Sequence, residues 1–134
     1  MTRYAITPNL VAGGNINPSS FVKLDPNNDF WAIQAGVGDS PLGISASGTD
    51  TAPGTPGATA FAAVAGEQFV IYGIGSIVEL KAGATGFARG PVKADVNGYG
   101  VTAVSTNVVG ALSLETVAAG ELGRVIVLQP YVMA

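Results

Sequence analysis

A chain of 134 residues with a formal net charge of −3 is long enough for one modest core, and its six scattered basic residues exclude nucleic acid as a partner. The absence of cysteine excludes disulfides and thiolate metal sites, and the absence of histidine removes the commonest general base. Only 11% of residues are charged while 48% are hydrophobic, so much of the surface is expected to be covered by copies of the chain or by a partner.

The opening residues, Met1 to Asn9, have no apolar signal core and read as an extended arm. Tyr4-Ala-Ile6 before Pro8 could add as an edge strand to this or a neighbouring chain, or fray as a terminus. After a turn at Ala12-Gly13-Gly14, Phe21–Leu24 and Phe30–Ala35 predict a hairpin around the turn-rich Asp25-Pro-Asn-Asn-Asp29, with Lys23 facing solvent. On the second strand, Phe30 and Trp31 should point to opposite faces, one inward and one outward, unless both are covered. Leu42–Ser45 is a short third strand. The stretch from Ala46 to about Ala60 carries turn chemistry throughout and almost nothing to bury.

Ala58 to Ala65 fits either a helical turn or an extended piece, and Gln68–Tyr72 predicts a strand. Ile77–Leu80, Val92–Ala94, Tyr99–Val104, Val109–Leu114 and Gly123–Leu128 follow as strands, with Asn97-Gly98 as a hairpin turn and Pro130 as the stop. The apolar stretch from Ala58 to Leu80 is broken by Glu67-Gln68 and three glycines, so no membrane span is predicted.

The chain repeats itself. At an offset of 70, residues 10–27 and 80–97 share Leu, Ala, Gly, Val, Lys, Asp and Asn. Pro41–Ser45 has a counterpart in Val109–Ser113, and Ala65-Gly66-Glu67 has one in Ala119-Gly120-Glu121. The expected architecture is therefore all-β: a small barrel or sandwich of two internally similar units. The division is an arm at 1–9, one domain at 10–130 and a tail at 131–134. Within the domain, unit one is about 10–75 with an inserted loop at 46–60, and unit two is about 77–130.

No motif predicts chemistry. Gly73-Ile-Gly75 and Gly83-x-x-Gly86 lack the helix that a nucleotide loop requires. Asp25-x-Asn27-x-Asp29 begins like a calcium loop, but Phe30 stands at its glycine position and Gly36 at its closing glutamate, which favours a local turn. Glu67 and Glu121 occupy equivalent turns, which suggests structural carboxylates, and serine has no histidine to activate it. No enzyme, cofactor or metal is expected. An outward Trp31 or Tyr99 leaves a carbohydrate-binding β module as one reading.

The runs Gly14–Asp25 and Gln34–Ser45 resemble the small capsid decoration or cement proteins of tailed bacteriophages, including cyanophages. The Pro53–Gly57 loop, the two Ala-Gly-Glu turns and the Lys93–Gly98 hairpin share that resemblance. It implies a virion protein on the outer face of the capsid that bridges neighbouring major capsid proteins. It also implies self-association, as a trimer at threefold positions or as a dimer. A small β-protein of the tail or baseplate is the neighbouring reading. The expected contact residues lie where the repeat does not: Arg3, Tyr4, Ile6 and Pro8 in the arm, Pro53, Gly54 and Pro56 in the loop, and Tyr131 in the tail.

Overall fold

The structure, a computed structural model, describes residues 5–6, 10–48 and 60–134. Among these the chain forms strands and no helix. One sheet contains β1 (Ala5–Ile6), β2 (Val11–Ala12), β3 (Phe21–Leu24), β4 (Trp31–Gln34), β5 (Gly43–Ser45) and β6 (Ile71–Tyr72), ordered β1-β6-β5-β3-β4-β2. The other contains β7 (Ile77–Lys81), β8 (Gly90–Ala94), β9 (Gly100–Thr102), β10 (Val108–Ser113) and β11 (Leu122–Val132), ordered β7-β11-β10-β8-β9. Each sheet curls toward closure: Val11 on β2 bridges to Gln68 just ahead of β6, and Ala82 just past β7 bridges to Gly100 on β9.

The sequence duplication is a duplication of register. Val22 faces Gly43 and Phe21 faces Ile44 across β3 and β5, as Val92 faces Ala111 and Pro91 faces Leu112 across β8 and β10. Ile44 faces Tyr72 as Leu112 faces Ile126, and Ser45 faces Ile71 as Ser113 faces Val125. The two Ala-Gly-Glu turns act as equivalent clasps. Ala12 donates its N–H to Glu67 O at 2.7 Å and Gly66 donates to Ala12 O at 2.8 Å; Ala82 donates to Glu121 O at 2.8 Å and Gly120 to Ala82 O at 3.1 Å. Ala63 bridges Ile16 as Val117 bridges Phe87. The chain between Ser45 and Ala63, which takes in the inserted loop, is thus matched in unit two by the three residues between Ser113 and Val117, Leu114–Thr116.

Strand alternation sends Val22, Ala32 and Ile71 into a first core, and Val92, Val125 and Val127 into a second. The two interiors are filled by an exchange of volumes. Unit one has Ile16, Ala32 and Phe69 where unit two has Phe87, Gly100 and Gly123. A Cβ on Gly100 would stand 3.0 Å from Phe87 Cε2 and 2.6 Å from Leu80 Cδ2, and one on Gly123 would overlap Val117. At native packing density a ring added at one wall removes side chains from another.

Phe21 and Ile44 point away from the first core and, with Ala35, complete the second. Fully burying two side chains of this size stabilises the joint by about 1.5–3 kcal/mol each. Phe21 N–H donates to Gly98 O at 2.7 Å, and a Cβ on Gly110 would come within 2.9 Å of the Phe21 ring. Backbone bonds from Lys81 N–H to Ser19 O and from Gly75 N–H to Val127 O, at 2.9 and 2.8 Å, add to the joint.

Five local expectations are corrected. Pro130 does not stop the last strand, because β11 runs through it to Val132. Val109 faces Tyr131 and Ala111 faces Val127, so Gly110 alone opposes Leu128, Gln129 and Pro130, and the proline's missing donor falls inside a bulge. Residues 131 and 132 therefore belong to a strand rather than a tail, and Thr106 and Met133 extend the ribbon with a 2.8 Å bond. The strand expected at 68–72 shrinks to Ile71–Tyr72, since curling moves the chain from its bridge with β2 onto β5.

Phe30 stands outside β4 with φ of 61° and is 71% exposed, so the alternation begins only at Trp31. The hairpin closes by Asp25 N–H donating to Trp31 O, which places a left-handed residue just before Trp31; the matching position in unit two is Gly98, with φ of 82°. Lys23, expected in solvent, is half-buried and pairs with Asp39 at 3.0 Å.

Candidate functional site

Asp25 and Asp95, the leading carboxylates of the two loops that begin like metal sites, are engaged in their own turns. Asp25 Oδ1 accepts the N–H of Asn27 at 2.8 Å, and Asp25 Oδ2 accepts Asn28 Nδ2 at 3.2 Å. Asp95 Oδ1 accepts the N–H groups of Asn97 at 2.8 Å and Tyr99 at 3.0 Å. These are Asx turns, in which the carboxylate replaces a missing backbone acceptor. Among the described residues, no group of three His, Cys, Asp or Glu side chains could hold a metal ion.

The electrostatics are local. Burial raises the pKa of Asp39, but the Gly36 N–H at 2.8 Å and the Lys23 ammonium outweigh it and hold the carboxyl below its ordinary value. Lys81 Nζ lies 5.0 Å from the centre of the Tyr99 ring, within cation–π range. Burial, then the Asp95 charge, push the Tyr99 hydroxyl up. Both side chains line an open groove of about 490 Å³ with Asp95, Asn97 and Gly120. Tyr99 is half-buried beneath Lys81, and Trp31 is half-buried with its Cε3 3.5 Å from where a Gly13 Cβ would sit.

One residue that sequence reasoning passed over organises the joint. Gln34 Nε2 donates to Ser20 Oγ and to Phe21 O, both at 2.7 Å, while its Oε1 accepts Asn17 N–H at 2.7 Å. Ser20 and Ser45 hydroxyls both donate to Asn17 O, and Asn17 Nδ2 reaches Asn97 O in unit two at 3.1 Å. A Cβ on Gly98 would strike the Gln34 side chain, which adds a steric demand to that glycine's positive φ. The sequence signal was faint: one amide at the end of an apolar strand, opposite a hairpin glycine.

Of the expected contact residues, Arg3, Tyr4, Pro8, Pro53, Gly54 and Pro56 lie outside the described residues. Ile6 lies on β1 opposite Ile71, so the edge-strand reading of the arm is met within this chain. Tyr131 lies on β11 opposite Val109 and is 45% exposed. The structure does not bring Ile6 and Tyr131 onto one sheet.

A surface that the sequence did not single out crosses the second sheet. Ile77 faces Ile126, Ile126 faces Leu112, and Leu112 faces Pro91, so four adjacent strands carry one apolar row on the outer face. Ile77 is 61% exposed and Leu112 37%. Beside the row Arg124 faces Glu79 and pairs with Glu115 at 3.7 Å.

The geometry thus defines an all-β protein of two register-matched curled sheets. No protein-family model matches the chain, and no curated protein matches it. Among solved structures, the crystal structure of the head fiber gp8.5 N base in bacteriophage phi29 is similar in fold, with a TM-score of 0.67 over 93% of this chain and 95% of that one. The two share 13% sequence identity, so the likeness is one of fold.

Proposed function

We propose that this chain is a structural protein of a tailed-bacteriophage virion, carried on the outer face of the head, where it binds the major capsid protein. The observation that carries the reading is the near end-to-end fold likeness to a phage head-fiber base. The composition agrees with it: a chain with 11% charged residues and several exposed large apolar side chains has surface to be covered by other protein. Asp25 and Asp95 are engaged in turns, and Gln34 in the joint between units.

On the shell such a protein acts as decoration or cement, bridging neighbouring capsid subunits and associating with copies of itself, as a trimer or a dimer. The printed name of the structural neighbour favours a second form of the same reading, in which the chain seats a projecting fibre. Cryo-electron microscopy of purified virions with and without the gene tests both. Density on the outer head surface that vanishes with the gene is the expected result. Heads that then rupture at lower temperature support bridging, and heads of unchanged stability that lose a projection support the fibre seat. Absence of the protein from purified particles, or its presence only on the tail, overturns the proposal.

A further inference from the structure

The internal repeat shows what covers its own outer face. In unit one the outward row of β3 and β5, Phe21 and Ile44, is 0% exposed because unit two lies on it. The equivalent row of unit two, Pro91 and Leu112 continued by Ile126 and Ile77, has no third unit to cover it. The surface that receives Phe21 in unit two comprises Gly98, Gly110 and Ala94. Its exposed counterpart on unit one comprises Phe30 and Leu24, 71% and 56% exposed, while Leu42 packs against unit one's own core. The joint inside the chain therefore leaves one unmatched half at each end.

The sizes at these two open halves are inverted relative to the covered joint. Inside the chain, large Phe21 meets small Gly98 and Gly110. At the open ends the receiving row has Pro91 where unit one has Phe21, and the opposing surface has the exposed Phe30 where unit two has Gly98. A bulky surface against a row relieved of its ring conserves volume across the contact, as the two cores do.

We propose that the occupant is a second copy of this chain, with the Pro91–Leu112–Ile126–Ile77 row of one copy receiving the Leu24–Phe30 surface of the next. The contact is heterologous: each copy gives one surface and receives the other, so assembly closes into a ring or extends as a filament. The inference rests on the repeat and is independent of where on a virion the protein sits.

Sedimentation of the purified full chain tests it. The wild type is expected to assemble, and Leu112→Glu and Leu24→Glu are each expected to weaken assembly about a hundredfold or more, the effect of placing an unpaired carboxylate in an apolar contact. Mixing the two variants is the discriminating step. The Leu112→Glu copy keeps an intact Leu24–Phe30 surface and the Leu24→Glu copy an intact row, so the mixture is expected to form one-to-one dimers that neither forms alone. Circular dichroism and melting of each variant check that the fold is kept, and Ile77→Lys replaces Leu112→Glu if that variant unfolds. A monomeric wild type, variants that assemble like wild type, or a mixture that stays monomeric overturns the proposal. The last outcome includes coverage of the row by the chain's own arm or by a capsid partner alone.

Discussion

The ring of Phe87 occupies the space in which a side chain on Gly100 would stand, with Cε2 3.0 Å from that glycine's would-be Cβ. The equivalent residues of unit one are Ile16 and Ala32, so each unit meets the same constraint with a different pair. Gly100→Ala is expected to lower stability by about 1–3 kcal/mol through overpacking alone. Adding Phe87→Leu should recover part of the loss, and a urea-denaturation cycle over the two sites measures the coupling. Additive losses would show that the two positions do not share one volume.

Gln34 is expected to matter more than its place at a strand end implies. Gln34→Leu removes the acceptor of the Asn17 N–H and one of the two donors to the Phe21 carbonyl, which keeps the Ala35 N–H, at a cost of about 1–3 kcal/mol. Gln34→Glu keeps the acceptor for Asn17 and loses the donor to Phe21, so its midpoint in urea should fall between the two. Equal midpoints for all three proteins would remove Gln34 from the joint.

The Lys23–Asp39 pair has a defined pH window. The folded-state pKa of Asp39 lies below its unfolded value, so its contribution is full above the ordinary aspartate range and disappears as pH falls through the folded value. At neutral pH Asp39→Asn is expected to cost no more than about 1 kcal/mol, since the pair is only half-buried. The difference between wild type and variant should vanish on acidification, as read from thermal melts at stepped pH. A gap that widens in acid would reverse the assigned sign.

Phe30 holds a left-handed backbone that its twin position gives to glycine. Phe30→Gly relieves a strain of about 1–2 kcal/mol and adds back some unfolded-chain entropy, for a net gain near about 0.5 kcal/mol in monomer stability. The same change removes a large exposed ring, so assembly in the sedimentation experiment should weaken as the melt rises. A variant that melts lower than wild type would mean that the ring stabilises the monomer.

Much of the scaffold was legible because it rests on short-range chemistry. Leu10, Ala12, Gly13, Val22 and Asp25 recur as Leu80, Ala82, Gly83, Val92 and Asp95 because each fills the same place. The leucine, alanine and valine are core walls; each glycine makes room for its turn carboxylate, since a Cβ on either would meet that Asp. Pro130 misled because a proline signals a missing donor, and nothing local says that a bulge opposite Gly110 already leaves that place in the ladder unpaired.

By itself the sequence determined the all-β class, the doubling of the unit and the turns, since strand period and turn residues act over a few positions. Tertiary structure alone decided that Phe21 and Ile44 of one unit complete the core of the other, and that the matching Pro91–Leu112 row stays open. Both rows are apolar and both alternate as half-buried strands do. Which of them is covered depends on how two similar units stack, and stacking is a property of surfaces far apart in the chain.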